Sequence, residues 1–222
     1  MTNTALTLMQ VCDSNFPTGA FSHSFGLETY IQDGKVYNTE TFAGWLNSYL
    51  HGVLCYNDGL ASALLFDGCD VFELDRMLYV SSLSRETREG TKRIGIRMLE
   101  LLIQLNPSDV LENYRTKIKR KTAFGHPALV FSLFCKELGI AKSECLSSYF
   151  YNSISSMIQN AVRGIPLGQT DGQRLLFSFQ EEIEKALIKI DLLKIDDLGT
   201  SPPGMELSAM LHEDLNVRLF MS

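Results

Sequence analysis

The stretch SRETREGTKRIGIRMLELLIQLNPSD, residues 84–109, decides the fold class. Ile94, Met98, Leu101, Leu102 and Leu105 recur at steps of three and four, which puts them on one face of a helix. Arg85, Arg88, Glu89, Lys92 and Arg93 supply a solvated beginning. The sequence predicts an amphipathic helix over residues 84–105. Pro107 bars the helical conformation at the residue before it, and Ser108 or Asp109 can cap the next helix.

Working outward, the same signals repeat. Asn38 stands before TETFAGWLNSYL, and Asp70 precedes Glu73 by three in DVFELDRML, with capping-box spacing. Pro127 suits the first turn of PALVFSLFCKEL and Gly139 its left-handed end. Ser143 is read as the start of a long segment to Arg163, ended by Gly164 and Pro166. Thr170 and Gln173 read as a Thr-x-x-Gln capping box ahead of RLLFSFQEEIEKALIKI. No hairpin signal appears, because Asp67-Gly68 is flanked by helical periodicity and Asp171-Gly172 sits in that box. The expected fold is all-α, a single bundle-like domain over 1–222 of about ten helices. DDLGTSPPG at 196–204 separates the body from a short helix near 205–212 and the tail EDLNVRLFMS at 213–222, expected to be flexible without a partner.

The chain has 222 residues, 45% of them apolar, with a mean hydropathy near zero. A core of useful size is within reach. A net charge of -6 argues against nucleic acid and anionic membrane, which reward clustered Lys and Arg. No apolar run approaches the roughly 18 residues that cross a bilayer, and MTNTALTLMQ is unlike a signal peptide, so a cytoplasmic protein is expected. Cys12, Cys55, Cys69, Cys135 and Cys145 are odd in number and form no C-x-x-C pair, which suggests neither a zinc knuckle nor a disulfide framework.

Catalytic signatures are missing: the sequence has no P-loop, no G-x-S-x-G, no H-E-x-x-H and no EF-hand loop. His51 and Cys55, four apart on a predicted helix, are weak metal candidates, since a closed site usually needs four ligands. His212 before Glu213 reads as a helix-end residue, where a cationic imidazole suits the dipole, or as a transient ligand.

Three stretches instead read as surfaces. In NFPTGAFSHSFGLETYIQ, residues 15–32, Pro17 and Gly19 make a turn, Ser22 and Ser24 can bond the backbone, and Phe16, Phe21, Phe25 and Tyr30 are large anchors. Ser22 and His23 are adjacent in sequence, which does not make them a nucleophile and base. RGIPLGQTDGQRLL, residues 163–176, reads either as a tight connection or as a rigid corner exposing Gln169, Asp171 and Gln173. NVRLFMS at the end places Val217, Leu219, Phe220 and Met221 around Arg218 where tails are usually polar. Cover by another chain is the more economical expectation, and packing on its own domain the alternative.

DSNFPTGAFSHSFGLE at 13–28, GHPALVF at 125–131, RGIPLGQTDGQRLL at 163–176 and SPPGMELSAMLHEDLNVRLFMS at 201–222 stand together in order and spacing that resemble the UreF family of urease accessory proteins. The resemblance implies an all-α protein without activity of its own. It implies a homodimer that binds a UreD-like (also called UreH) accessory protein and then a UreG-like GTPase, in a complex delivering nickel to apo-urease. GTP and Mg would be bound by the GTPase, and nickel handled by the complex, for which a water-filled passage has been proposed. Phe21 and Arg218 match positions that the family uses to recruit the GTPase, although some members carry tyrosine at the former. Val217 to Ser222, with His212 and Glu213, match the segment that orders against the UreD-like partner. His23, Glu28, Tyr30, Gln169, Asp171 and Gln173 complete the candidate contact set. Two other roles stay open at this stage. One is a nickel carrier using His51, Cys55, His23 or His212. The other is a GTPase activator using Arg163, Arg174 or Arg218.

Overall fold

The structure, a computed structural model, describes residues 3–221. Among them there is no strand. The helices are α1 (Thr4–Val11), α2 (Leu27–Gln32), α3 (Thr39–Ser48), α4 (Leu60–Phe66), α5 (Val71–Ser81), α6 (Arg85–Leu105), α7 (Asp109–Lys119), α8 (Pro127–Glu137), α9 (Lys142–Gly164), α10 (Gln169–Ile190) and α11 (Pro203–Leu211). The all-α expectation holds.

The 84–109 stretch forms the predicted helix and break, with Ile94, Met98 and Leu102 buried as its apolar face, although Leu105 is exposed and Leu99 and Ile103 take up the rest of that face. The Ser84 side chain accepts the N–H of Thr87 at the start of α6, and Ser108 accepts that of Val110 at the start of α7. Asn38 caps α3, and Asp70 caps α5 through the N–H groups of Phe72 and Glu73, both at 2.9 Å. Other boundaries differ. α9 begins at Lys142 after Ala141, so Ser143 lies within its first turn and does not cap it. α10 begins at Gln169 after Gly168, whose carbonyl accepts the Gly172 N–H. Thr170 and Gln173 are therefore already helical, and no side chain caps that end. The last helix starts two residues earlier than expected, with Pro203 in its first turn, and His212 is its C-cap residue.

One element has no counterpart in the sequence reading. Between α3 and α4 the chain continues as a π-helix, Tyr49–Gly59, so residues 39–66 form one unbroken rod. Its wider turns carry the buried residues Leu50, Leu54, Cys55 and Gly59 at steps of four and five, a period of neither an α-helix nor a strand. A side chain at Gly59 would strike Phe150 and Ile190, so α9 and α10 approach the rod closely there.

Two apolar cores result. One gathers the α3–π rod, α9 and α10, with Leu27 of α2 and Met205 of α11. The other surrounds α8, every residue of which from Pro127 to Cys135 is buried, as its apolar composition on all sides requires. Tyr149 of α9 packs against both. The GHPALVF block needs its glycine, since a Cβ on Gly125 (φ +85°) would lie 2.8 Å from Ile118 Cδ1, and α6 needs Gly95 beneath it, whose Cβ would lie 1.8 Å from the Gly125 carbonyl oxygen. Buried Asp75 of α5 holds this loop by accepting the N–H groups of Phe124, Gly125 and His126 at 2.5 to 3.2 Å. No described helix is long and apolar enough to cross a membrane.

Candidate functional site

The N-terminal motif and the C-terminal tail meet. After the Pro17 turn, Gly19 adopts φ +86° and a short 3-10 turn, Ala20–Ser22, leads to α2. Phe25 (φ +50°) and Gly26 (φ +85°) then reverse the chain against α11. Glycine is required at 26, because a Cβ there would lie 2.6 Å from Ser208 Oγ and 2.9 Å from the Ala209 nitrogen. Thr29 fixes the crossing by donating from Oγ1 to the Ser208 carbonyl at 2.8 Å.

This seats Glu28, in the first turn of α2, at the point where the tail arrives. Its Oε1 accepts the Leu219 N–H at 2.5 Å, and its Oε2 accepts the Phe220 N–H at 3.0 Å. The same Oε2 lies 3.0 Å from His212 Nε2. The other ring nitrogen, Nδ1, lies 2.7 Å from Glu86 Oε2 at the start of α6. Glu86 Oε1 accepts from Arg218 Nη1 at 2.7 Å, and Arg218 Nη2 donates to the Glu213 carbonyl at 2.7 Å. Burial raises the Glu86 pKa, but the bonds from His212 and Arg218 together outweigh it and hold the carboxyl below its ordinary value. Further stitches are Gln32 Nε2 to the Val217 carbonyl at 2.6 Å, and Met221 N–H to the Ser22 carbonyl at 2.8 Å.

Beside this clasp, the Arg163 guanidinium at the end of α9 stands between two rings, 5.1 Å from the Phe220 centroid and 5.9 Å from that of Phe21. It donates to the Phe21 carbonyl and to Asn160 Oδ1, while Asn160 Nδ2 donates to the His23 carbonyl at 2.7 Å. Burial, then the charges of Arg93 and His212, push the His23 imidazole down to about 4.

Several expectations are thus redistributed. The tail packs on its own chain: Phe220 is buried, and Arg218 is paired in cis with Glu86. His23, Glu28 and His212 are also buried, so in this conformation they shape the surface and do not form it. His212 keeps its place at a helix end, but with two carboxylates as its partners. At this corner the exposed members are Phe21 (59%), Leu219 (56%) and Met221 (54%), with Val217 and Arg218 also exposed and Glu213 half-buried. Tyr30 is half-buried against α11, its hydroxyl 3.0 Å from where a Gly204 Cβ would stand. Gln169, Asp171 and Gln173 lie apart on the first turns of α10, where Asp171 pairs with Arg174 at 3.1 Å. Ser222 lies outside the described residues.

His51 and Cys55 fall on the π-helix. His51 Nε2 bonds Glu182 at 3.0 Å, and the Cys55 thiol is buried against the Ala186 carbonyl. Burial, opposed by Lys189, pushes that thiol up to about 11, which disfavours the thiolate a metal would need. Among the described residues, no three His, Cys, Asp or Glu side chains are placed to hold a metal ion. Sequence reasoning missed Glu86. Its position in the first turn of α6 looks like ordinary helix-dipole chemistry, and nothing local signals His212 and Arg218 as its partners.

A family model described as UreF matches residues 36–180. The chain is 45% identical over 226 residues to the urease accessory protein UreF of Bacillus sp. (strain TB-90), a match covering 99% of this chain and all of that protein. The chain belongs to the UreF family. A second UreF, from Lachnoclostridium phytofermentans (strain ATCC 700394 / DSM 18823 / ISDg), is 47% identical over 228 residues and covers both chains completely. The family model stops short of both ends, so it omits the whole N-terminal motif, α11 and the tail. The full-length relatives include them. In this UreF family member the clasp is built largely from the regions beyond that model: Glu28, His212, Arg218 and the Leu219–Phe220 backbone.

Proposed function

We propose that this chain is a non-enzymatic adaptor in urease assembly, a homodimer that binds a UreD-like (UreH-like) accessory protein and recruits a UreG-like GTPase for nickel delivery to apo-urease. Nickel is cargo of the complex, and GTP and Mg belong to the GTPase. The observation carrying the reading is the joining of the N-terminal motif to the C-terminal tail through Glu28, which holds exposed Phe21, Leu219 and Met221 at one corner of the molecule. Exposed apolar side chains held on a rigid backbone lose little entropy on binding, which suits an interface better than a reaction site. Arg163 fixes the Phe21 backbone from behind, so the ring projects from a clamped position.

Size-exclusion chromatography with light scattering, on the chain alone and with UreD-like and UreG-like proteins, tests this reading. A dimer that forms a larger complex with both partners supports it. A chain that stays apart from both, or that binds nickel tightly and stoichiometrically by itself, overturns it in favour of a carrier.

A further inference from the structure

We infer that the cavity bounded by the π-helix, α5, α6, α9 and α11 is a binding site for a small oxyanion, a carboxylate or a phosphate, held by Arg88. The cavity has a volume of about 160 Å³, and none of Glu28, Glu86, His212 and Arg218 lines it. Six buried side-chain polar atoms among the described residues have no hydrogen-bond partner. Four of them, Thr87 Oγ1, Arg88 Nε, His126 Nδ1 and Ser201 Oγ, belong to residues that line this one cavity. Buried polar atoms without partners are costly, so their concentration at one cavity marks a place that receives a polar molecule.

The charge balance selects the class of ligand. Arg88 Nη1 donates to the Ser82 carbonyl at 2.8 Å, and the guanidinium lies 5.4 Å from the Tyr79 centroid. Tyr79 in turn stacks on Phe124, with the centroids 3.6 Å apart. These contacts hold the guanidinium and leave Nε, which can only donate, without an acceptor. Among the described residues no carboxylate pairs with Arg88. A cation with a buried Nε and no counter-ion takes an anion in preference to a neutral acceptor. The Nε edge of a guanidinium can meet two oxygens of a carboxylate or phosphate at once. Two acids of the lining are already committed: Asp75 accepts the N–H groups of Phe124, Gly125 and His126, and Asp58 accepts the Tyr149 hydroxyl at 2.7 Å. Glu206 of α11 is the remaining acid there, and Lys92, one turn after Arg88 on α6, adds a second cation 3.8 Å from Glu89. The Thr87 and Ser201 hydroxyls can donate to the anion, and His126 Nδ1 can do so in the matching tautomer.

The inference concerns the isolated chain and does not depend on the adaptor reading. The test is calorimetric titration of the purified full chain with sodium phosphate and, separately, sodium acetate, in chloride buffer of matched ionic strength, with arginine Nε resonances followed by NMR. The expected result is saturable binding of one anion per chain in the millimolar range, with a shift of the Arg88 Nε resonance. Whichever anion saturates at the lower concentration distinguishes a phosphate site from a carboxylate site. Arg88→Gln is expected to weaken binding by about tenfold or more. Thr87→Val, which keeps the shape and deletes the hydroxyl, is expected to weaken it by about threefold to tenfold. Lys185→Gln, which removes an exposed cation on α10, should bind as the wild type does. No saturable binding of either anion up to about 50 mM, or binding that a folded Arg88→Gln retains in full, means that water alone fills the cavity and overturns the inference. Should Arg88→Gln fail to fold, the wild-type Arg88 resonance and Thr87→Val decide: binding that leaves both unaffected overturns it equally.

Discussion

Glu28 and Phe220 stand 192 positions apart in sequence and are joined by a hydrogen bond of 3.0 Å, the Phe220 N–H donating to Glu28 Oε2. The carboxylate is buried, and its partners among the described residues are His212, Leu219 and Phe220. Glu28→Gln keeps the shape but replaces one acceptor oxygen with a donor nitrogen and removes the charge facing His212. A loss of about 2–4 kcal/mol in unfolding free energy is expected, measured by urea denaturation, together with faster exchange of the tail amides.

Arg218 makes its bonds within its own chain, to Glu86 and to the Glu213 carbonyl. Arg218→Ala is expected to weaken assembly with the UreD-like and UreG-like partners more than Arg218→Lys, since lysine keeps a charge but not the fork of donors. Pull-down of the complex checks the order. Glu86→Gln should reproduce the Arg218→Ala defect if the arginine acts by holding the tail, and should leave assembly intact if the arginine touches the partner directly.

Phe21 presents most of its ring to solvent while its carbonyl is clamped by Arg163. Phe21→Ala is expected to change stability by no more than about 0.5 kcal/mol, as exposed positions do, yet to reduce recruitment of the GTPase. Phe21→Tyr should retain recruitment. Thermal denaturation and co-elution give the two readouts.

Gly26→Ala combines a backbone at φ +85° with a Cβ 2.9 Å from the Ala209 nitrogen. Neither can relax without moving α11. A loss on the order of 3 kcal/mol is expected, read from the denaturation midpoint.

His23 titrates against folding on the acid side. Its folded value, pushed down to about 4 from 6.5, means that the unfolded chain binds the proton first. Stability is expected to fall as pH drops from about 6.5 towards 4. His23→Gln should flatten the acid limb in a pH series of denaturation midpoints.

What was legible in the sequence follows what is local. α5, α6 and α7 announce themselves through caps and three-four periodicity, and α8 through Pro127 and Gly139, because each signal acts within a turn or two. The π-helix is different. Its pairs Tyr49–Leu50, Leu54–Cys55 and Gly59–Leu60 repeat every five residues, a rhythm that neither helix nor strand templates test. The start of α10 was misplaced because Thr170 and Gln173 have the right spacing for a box that Gly168 makes unnecessary. The N-terminal motif and the tail stood out by composition, but their union did not. Glu28, Glu86 and His212 meet only through the packing of α2, α6 and α11, and no local pattern encodes that meeting.

The tail's position also sets an order on biosynthesis. Leu219 and Phe220 are translated 191 and 192 positions after Glu28, whose donors they supply, and Met221 likewise follows long after Ser22, to whose carbonyl it donates. A nascent chain can build α3 to α10 during translation, while its N-terminal motif waits with an unmatched carboxylate until residues 219–220 have emerged. A chain cut before Leu219 would leave that carboxylate and the His212 ring without the strap that covers them, so quality control would meet a folded body with one open corner.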